Sequence, residues 1–352
     1  MKKETIMIKP ERLKKGDKVA IVSLSRGMLG EDWAIHKLDI AKERLENDFG
    51  LEVQVMDNAL KGIDYLYWHP QKRAEDLMNA FKDPSIKAII NAIGGDDSIR
   101  LLPYIDFDVI KNNPKIFMGF SDTTSNHLMM YKAGLVSYYG GSLMNNWSEY
   151  IKINDYTKNA LVHAFFEPVE RFEIKSSPVC SYSQDVVLWS EENVNTPRKF
   201  YRDEKGYQVL QGEGKVQGRL LGGCLDVFIE LLGTAIWPGI DEWKDKILFV
   251  ETSEVDMPDY QLCWLLRNLG AQGLFDVLKG IIVGKPAIEE KFEVYNQVYK
   301  QVIAEEFHRP DLPIITNVNF GHAEPIGIIP YGLQCELDVE QRTITILEPM
   351  TR

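Results

Sequence analysis

A serine stands where an apolar run turns into helix-forming residues, in the segment KIFMGFSDTTSNHLMM at positions 115–130. On such a tight strand-to-helix turn the serine hydroxyl is held above the end of a sheet, and the next amide points toward any oxyanion that forms there. The G-x-S-D sequence therefore predicts a nucleophile elbow, with Ser121 as nucleophile and the amide of Asp122 as an oxyanion donor. The alternative interpretation is that Ser121, Asp122 and Thr123 cap the following helix, since all three residue types are common caps.

A serine nucleophile needs a base that takes its proton and a third group that orients the base. Of the six histidines, His322 lies where a β-branched run ends, in PIITNVNFGHAEPIG, so we predict it at a strand end among turn residues. His127 lies on the predicted helix after Ser121, where helical periodicity points it away from the hydroxyl. His322 is therefore the predicted general base, and an ordinary surface-loop histidine is the alternative.

The orienting acid is predicted at Glu251, the first polar residue after the apolar run ILFV in DKILFVETSEVDMP. A carboxylate at the end of a buried strand is costly to bury unless it is paired or hydrogen-bonded. An imidazole is one suitable partner. Two alternatives remain open: Glu251 could reach solvent or cap a neighbouring helix, and Glu254 could orient the histidine instead.

Two glycines, Gly94 and Gly95, follow the predicted strand AIINAI at positions 88–93 and precede a predicted helix, SIRLLPYI. Glycine lets the backbone approach a ligand closely and present an amide to it. A phosphate-binding loop is a rival interpretation, but the sequence contains neither G-x-G-x-x-G nor the P-loop pattern. An ordinary strand-to-helix turn is the other alternative.

Six segments carry a family resemblance: AIGGDDSIRLLPYIDFDVI, GFSD, GRLLGGCLDVFIELLGT, LFVETSE, IIVGKP and NFGHAEPIGIIPYG. Over nearly the whole chain and in the right order, they resemble the serine LD-carboxypeptidase family, which includes muropeptide LD-carboxypeptidases and microcin C self-immunity peptidases. The resemblance implies a serine peptidase whose catalytic triad is Ser121, Glu251 and His322.

The same resemblance implies further features of the site. The oxyanion hole is expected at the amides of Gly95 and Asp122, with Gly94 as a substrate contact. No metal and no other cofactor is expected, and the family resemblance implies a homodimer.

Length and composition are typical of a two-domain enzyme. At 352 residues, 45% of them hydrophobic, the chain is long enough for two cores. The formal net charge of −12 disfavours nucleic acid and anionic membranes as partners. The first residues, MKKETIMIKPERLKKGD, contain no apolar core of a signal peptide, so we expect a cytoplasmic protein. The four cysteines are scattered without C-x-x-C spacing, which suggests neither a zinc site nor a disulfide framework.

Strands and helices alternate in the first half of the chain. The apolar runs DKVAIVSLS, LEVQVM, AIINAI and IFMGF are separated by helical patterns at about 31–48 and 70–82. This order predicts an α/β fold whose N-terminal domain is a doubly wound parallel sheet, with the nucleophile elbow at the carboxyl end of a strand.

Three regions are predicted along the chain. Residues 1–168 form the α/β domain with the nucleophile. Residues 169–215, where the sequence becomes polar, aromatic and turn-rich, form a linker and substrate loop. Residues 216–352 form a mixed α+β domain that carries the glutamate and histidine of the triad.

The predicted substrate loop contains Trp189, followed by Arg198 and Tyr201. Long polar insertions with aromatic residues are often lids or binding loops. In the microcin-immunity branch a tryptophan of the corresponding loop stacks on a nucleobase, and the sequence WSEE at Trp189 is similar. The length of this insertion also makes the chain more similar to that branch than to the shorter muropeptide enzymes. The alternative is that Trp189 packs the linker against a domain.

Position 224 departs from the family. Many relatives have Asn directly after the second glycine of this motif, where it is a substrate contact, and this chain has Cys224. A buried structural thiol is the simplest interpretation.

These features predict a hydrolase that forms an acyl-enzyme and cleaves the amide or acyl-nitrogen bond of a peptidyl or aminoacyl nucleotide. The alternative substrate is a muropeptide, from which an L,D-carboxypeptidase would release D-Ala in cell-wall recycling. A catalytically inactive relative that only binds its ligand is a third hypothesis. A metal hydrolase is disfavoured because the sequence has no H-E-x-x-H motif. In each case the expected partner is a small molecule.

Overall fold

The computed structural model describes residues 7–352. The chain divides into two compact units. Among the described residues, the first unit runs to Pro168 and also includes Val187–Arg198 and Met350–Arg352. The second unit consists of Val169–Val186 and Lys199–Pro349. Each unit has its own sheet and its own helices.

The strands of the first unit are parallel and lie in the order β5-β4-β3-β1-β2. Val19, Ile21 and Val22 of β1 are fully buried, as expected for a parallel strand that is covered on both faces. The prediction of an α/β unit with a parallel sheet is confirmed. The strands are β1 (Lys18–Val22), β2 (Glu52–Val55), β3 (Ile86–Asn91), β4 (Ile116–Gly119) and β5 (Tyr138–Tyr139).

The helices of the first unit connect and flank these strands. They are α1 (His36–Asn47), α2 (Ile63–Trp68), α3 (Pro70–Lys82), α4 (Phe107–Asn112), α5 (Thr124–Ala133) and α6 (Asp155–Phe165). Shorter 3₁₀ turns occupy Met28–Gly30, Ser98–Tyr104, Ser121–Thr123 and Glu191–Asn193, and a π-helical turn occupies Leu143–Trp147. The predicted helix at 70–82 is confirmed, with Pro70 in the first turn where its missing N–H costs nothing.

Two helix predictions differ from the structure. Helix α1 begins at His36 rather than near 31, because Glu31 accepts a hydrogen bond from the amide of Ile63 at 2.7 Å and belongs to a separate turn. The predicted helix SIRLLPYI is the 3₁₀ turn Ser98–Tyr104, which contains Pro103. A proline inside an α-helix removes a hydrogen bond and clashes with the preceding turn, so this segment stays short.

The segment Met350–Arg352 is bonded to other parts of the first unit. The hydroxyl of Tyr138 donates to the carbonyl of Met350 at 2.6 Å, and the hydroxyl of Thr351 donates to the carbonyl of Ala164 at 3.0 Å. The amide of Arg352 donates to the carbonyl of Pro10 at 3.0 Å. These three residues therefore complete a unit whose other residues lie more than 150 positions earlier.

The second unit contains an eight-stranded mixed sheet in the order β6-β16-β15-β10-β11-β12-β13-β9. The four central strands β10 to β13 are parallel, and the strands outside them pair antiparallel. The prediction of a separate mixed C-terminal domain is confirmed. The strands of this unit are β6 (Phe172–Glu173), β7 (Val179–Cys180), β8 (Tyr201–Arg202), β9 (Gln208–Gln211), β10 (Lys215–Cys224), β11 (Lys246–Glu251), β12 (Gly280–Gly284), β13 (Ile314–Val318), β14 (Ile329–Pro330), β15 (Gln334–Asp338) and β16 (Thr343–Ile346).

The helices of the second unit follow the central strands. They are α7 (Leu225–Leu231), α8 (Ile240–Trp243), α9 (Asp259–Ala271), α10 (Leu274–Val277) and α11 (Lys291–Tyr299), with a 3₁₀ turn at Ser183–Asp185 and a π-helical turn at Lys300–Glu306. Across the described part of the chain, no helix has the length and apolar character needed to cross a membrane.

Candidate active site

Ser121 lies two residues after the end of strand β4 and has a left-handed backbone, with φ of 63°. A residue with a Cβ pays about 1–3 kcal/mol for such a conformation, and this strain is characteristic of functional turns. Its hydroxyl does not cap a helix: within residues 7–352, neither the 3₁₀ turn Ser121–Thr123 nor helix α5 has a side-chain cap at its start. The helix-cap interpretation of Ser121, Asp122 and Thr123 is therefore wrong.

The neighbours of Ser121 hold this turn in place. Its amide donates to the hydroxyl of Tyr139, on the adjacent strand β5, at 3.0 Å. His127 lies behind the turn, where Nε2 donates to the carbonyl of Gly119 at 2.9 Å and Nδ1 is 2.8 Å from the hydroxyl of Ser137. Burial lowers the pKa of His127 to about 3, so the ring is neutral and structural. The prediction that His127 does not face the serine hydroxyl agrees with these contacts.

The carboxylate of Asp122 ties the elbow to the glycine turn after β3. It accepts hydrogen bonds from the hydroxyl of Ser25 and from the amides of Asp97 and Ser98, the last two at 3.1 and 2.9 Å. The hydroxyl of Ser98 donates back to the carbonyl of Asp122 at 2.7 Å. Burial raises the pKa of this carboxyl, although these hydrogen bonds oppose the shift. The side chain of Asp122 is thus a structural anchor between the two turns.

Gly94 and Gly95 lie against the elbow where no larger residue fits. A Cβ on Gly94 would lie 2.8 Å from the Cβ of Ser121 and 3.1 Å from its hydroxyl oxygen. Gly95 has φ of 155°, and a Cβ there would lie 2.9 Å from the amide nitrogen of Arg26. Within residues 7–352, the amides of Gly95 and Asp122 donate to no protein acceptor. Two unused donors therefore stand beside the serine.

In the second unit, Glu251 and His322 are hydrogen-bonded. Glu251 is the last residue of β11, and His322 lies in the turn after β13. Oε2 of Glu251 is 2.7 Å from Nδ1 of His322, and the carboxylate side chain is completely buried. Glu254, which is mostly exposed, lies 3.4 Å from the other ring nitrogen, Nε2. Of the two acids considered, Glu251 has the position of the orienting group.

Glycines make room for this pair. A Cβ on Gly321 would lie 2.5 Å from Oε2 of Glu251, and Gly321 has a left-handed backbone with φ of 97°. A Cβ on Gly284, at the end of β12, would lie 2.7 Å from the Cβ of Glu251. The sequence N-F-G-H thus places the imidazole directly over a carboxylate that is packed between two glycines.

Negative charge surrounds His322. Burial by itself lowers the pKa of the ring, but the charge of Glu251 and its hydrogen bond outweigh burial and, with Glu254 and Asp226, raise the pKa to about 9. The imidazolium form is therefore strongly favoured here.

Cys224 is the last residue of β10 and the register partner of Glu251 on β11. Its thiol is completely buried and lies 3.4 Å from Oδ2 of Asp226. Burial, then the negative charges of Glu251 and Asp226, raise the pKa of the thiol well above its usual value. Sγ of Cys224, a carboxylate oxygen of Glu251 and a ring nitrogen of His322 all lie within 4.8 Å of one another. The sequence did not indicate this cluster, because its members come from the ends of β10 and β11 and from the turn after β13.

Trp189 lies in the Val187–Arg198 segment of the first unit and is half-buried. The ammonium of Lys37 lies 5.8 Å from the centre of its ring and 4.0 Å from the centre of the Tyr150 ring. Arg198 forms an ion pair with Glu149 at 3.0 Å, and the hydroxyl of Tyr150 donates to the carbonyl of Ser190 at 3.2 Å. This segment is therefore fixed to the first unit at several points.

Sequence reasoning missed Lys37, which resembles any other lysine of a helix. It is almost completely buried and donates to the carbonyl of Ser148 at 2.7 Å. Burial lowers its pKa to about 7, while Glu149 opposes the shift. Tyr201, which the sequence grouped with Trp189, lies in the second unit and donates to Asp185 at 2.8 Å.

The structure thus assembles the predicted residues into groups. Ser121, Asp122, Gly94 and Gly95 meet at one turn of the first unit. Glu251, His322 and Cys224 meet at the carboxyl end of the parallel strands of the second unit, and Trp189 lies on a separate segment.

Comparison with known proteins identifies the family. The LD-carboxypeptidase N-terminal domain matches residues 19–140, and the LD-carboxypeptidase C-terminal domain matches residues 217–337. The chain belongs to the LD-carboxypeptidase family of peptidases, as its resemblance predicted.

Individual relatives cover most of the chain. The putative carboxypeptidase YocD of Bacillus subtilis is 33% identical over 341 residues, which are 95% of this chain and 97% of that protein. The microcin C7 self-immunity protein MccF of Escherichia coli is 28% identical over 279 residues, 79% of this chain and 78% of that protein. The crystal structure of an MccF-like protein from Streptococcus pneumoniae in complex with AMP has a TM-score of 0.86 and 33% identity, covering 94% of this chain and 98% of that chain.

Proposed function

We propose that this protein is a serine peptidase or amidase in which Ser121 is the nucleophile, His322 the general base and Glu251 the group that orients the base. The observation that carries the proposal is the left-handed conformation of Ser121 after β4, beside the amides of Gly95 and Asp122, which donate to no protein acceptor among residues 7–352. The hydrogen bond of 2.7 Å between Glu251 and His322 supports the assignment of the other two roles.

In the proposed mechanism, His322 takes the proton of the Ser121 hydroxyl as the oxygen attacks an amide carbonyl carbon. The amides of Gly95 and Asp122 donate to the oxyanion of the tetrahedral intermediate. His322 then gives its proton to the leaving nitrogen, which leaves an ester on Ser121. Water, deprotonated by His322, attacks that ester and releases the acid. Glu251 stabilises the imidazolium in both halves of the reaction.

The proposed substrate is a peptidyl or aminoacyl nucleotide, cleaved at its amide or acyl-nitrogen bond. Two facts support this class. Trp189 is half-buried on a segment that Arg198 and Tyr150 fix in place, so its aromatic ring is held in a defined position. The related structure from Streptococcus pneumoniae is a complex with AMP, and a relative from Escherichia coli is a microcin C7 self-immunity protein. Stacking of a base on an aromatic ring contributes about 1–3 kcal/mol.

The alternative substrate is a muropeptide, cleaved at an L,D bond to release D-Ala. The LD-carboxypeptidase descriptions of both matching domains favour this alternative. It predicts no role for the face of Trp189, since a muropeptide stem carries no flat ring.

The deciding experiment offers the purified protein an aminoacyl-sulfamoyl adenosine and an L,D-tetrapeptide side by side. We expect turnover of the nucleotide and a loss of about tenfold or more in Trp189→Ala, as a stacking loss of this size implies, with simple peptides little affected. Trp68→Ala is the matched control, because Trp68 is an exposed tryptophan of the same unit. Efficient release of D-Ala without attack on the nucleotide would reject the proposed substrate in favour of the muropeptide.

The same assay tests the third hypothesis. A relative that only binds its ligand would hold the nucleotide without releasing product, and no acyl-enzyme would accumulate when substrate is mixed with a large amount of protein.

A further inference from the structure

Three side chains that are good ligands for soft divalent metals meet at the carboxyl end of the parallel strands of the second unit. They are the thiol of Cys224, the carboxylate of Glu251 and the imidazole of His322, whose ligand atoms all lie within 4.8 Å of one another. Thiolate, imidazole and carboxylate are the three side-chain types that hold Zn²⁺ in proteins.

The sheet itself brings them together. Cys224 and Glu251 end the neighbouring parallel strands β10 and β11 and are register partners. Such partners lie about 5 Å apart and point to the same face of a sheet. His322 is fixed against the same carboxylate by its 2.7 Å hydrogen bond. The cluster is therefore held by the backbone of the sheet and not by flexible surface side chains.

Two further carboxylates border the cluster. Oδ2 of Asp226, at the start of α7, is 3.4 Å from Sγ of Cys224 and also accepts a hydrogen bond from the amide of Ser253 at 2.8 Å. Oε2 of Glu254 is 3.4 Å from Nε2 of His322. Both charges favour a cation at this place, and the side chain of Glu254 is mostly exposed.

We propose that Cys224, Glu251 and His322 form a binding site for a single soft divalent cation such as Zn²⁺, and that the bound cation inhibits hydrolysis. Metal–ligand bonds of about 2.0–2.3 Å require ligand atoms about 3.3–3.8 Å apart, so small side-chain movements would close the site. The thiol proton, and one proton of the imidazolium, are released to solvent as the metal–sulfur and metal–nitrogen bonds form, and a water molecule completes the coordination.

Inhibition is expected because one of the metal ligands, His322, is also the proposed general base. A lone pair of His322 that is bonded to a metal is not available to take the proton of Ser121. This part rests on the proposed function, whereas binding of the metal does not. The cation is an inhibitor here and takes no part in the reaction.

The test measures binding without turnover. Cd²⁺ is titrated into the purified protein, and thiolate ligation is followed by the near-ultraviolet charge-transfer band that a cadmium–sulfur bond produces. Zn²⁺ binding is measured in parallel by calorimetry. We expect one ion per chain, and affinity at least about 100-fold lower in Cys224→Ser and in His322→Ala. Mg²⁺, which prefers oxygen ligands, is expected to produce no binding.

Cys263→Ser is the matched control, because Cys263 is the one cysteine that is not buried among the residues described. We expect the cadmium band to persist in this variant. A band that disappears in Cys263→Ser and persists in Cys224→Ser, or the absence of any band in the unsubstituted protein, would overturn the proposed site.

Hydrolysis assays then test the inhibition. We expect Zn²⁺ to abolish turnover over the concentration range in which it binds, and a chelator to restore it. Metal that binds at Cys224 without slowing hydrolysis would overturn the inhibitory role and would count against His322 as the base. A protein that binds the metal but hydrolyses nothing, even after chelation, would instead contradict the proposed function.

Discussion

The turn at Ser121 and the turn at His322 are held by different physical means. Ser121 is fixed by its backbone: it has a left-handed φ of 63°, its amide donates to Tyr139, and Gly94 packs so closely that an added Cβ would lie 2.8 Å from the Cβ of Ser121. His322 is fixed by charge, through a hydrogen bond to a buried carboxylate that other acids surround. The fold therefore holds Ser121 through a strained backbone, and it holds His322 through the negative charge around the ring.

The turn at Ser121 and the turn at His322 should therefore respond differently to substitution. Backbone strain at one residue is local, so a substitution there is felt by the elbow and its immediate neighbours. A buried pair depends on both partners, and removal of one leaves the other without compensation. Three predictions distinguish these two cases.

The first prediction distinguishes the effect of backbone strain at Ser121 on stability from the effect of its hydroxyl on turnover. Both Ser121→Ala and Ser121→Gly should lower kcat by about 10³-fold or more, because the nucleophile is lost. Glycine adopts a left-handed backbone without penalty, so Ser121→Gly should be more stable to unfolding than Ser121→Ala by about 1 kcal/mol. Turnover and denaturant unfolding measure the two effects.

The control for this pair is Ser125→Ala, which removes a buried hydroxyl on helix α5 and should keep its activity. If Ser121→Gly is the less stable of the two variants, the turn is not strained. If Ser121→Ala remains active, Ser121 is not the nucleophile.

The second prediction concerns the buried pair. Glu251→Gln preserves the shape of the side chain but removes its charge, so the imidazolium that forms during the reaction is no longer stabilised. We expect kcat to fall by about 10³- to 10⁴-fold, since loss of the orienting acid has an effect of this size in serine hydrolases. Steady-state kinetics on the preferred substrate provide the measurement.

Glu254→Gln is the matched comparison, because this exposed carboxylate lies 3.4 Å from the other ring nitrogen. We expect it to lower kcat by less than about tenfold, as for an exposed charge that solvent screens. A larger loss in Glu254→Gln than in Glu251→Gln would exchange the roles of the two acids.

The third prediction tests the glycine turn next to the elbow. A Cβ at Gly95 would lie 2.9 Å from the amide of Arg26, so Gly95→Ala must displace the turn and its amide. We expect kcat to fall by about 100-fold, the usual result when one oxyanion donor is lost, with a smaller change in KM.

Gly134→Ala is the control for Gly95→Ala, because it introduces backbone strain without displacing a neighbouring turn. Gly134 also has a left-handed backbone, with φ of 82°, but no atom lies within 4 Å of an added Cβ. It should lose about 1 kcal/mol of stability and keep its kcat. Equal activity in the two variants would remove Gly95 from the oxyanion hole.

The sequence predicted the parts of the molecule that depend on local patterns. The alternation of strands and helices indicated the parallel sheet, and G-x-S-D indicated a tight turn at Ser121, where the structure has φ of 63°. Residues at strand ends could also be predicted to lie near one another, because the carboxyl ends of parallel strands meet at one edge of a sheet.

The remaining features depend on contacts between residues far apart in the chain, which a single sequence does not reveal. The contact of Cys224 with the Glu251–His322 pair follows from the register of β10 on β11. The burial of Lys37 depends on Ser148 and Tyr150, more than 100 residues later in the chain. Helix α1 begins late because Glu31 is used by Ile63, a contact that helical periodicity does not reveal.

The hydrogen bonds of Met350–Arg352 have a consequence for synthesis on the ribosome. Domains generally fold as their residues emerge, at about 5–20 residues per second. The first unit lacks its partners for Tyr138 and Ala164 until residues 350 and 351 have been made. Its parallel sheet can form early, but its last hydrogen bonds must wait while the whole second unit is translated. The nascent first unit should therefore be more protease-sensitive than the same unit after residues 350–352 have been made.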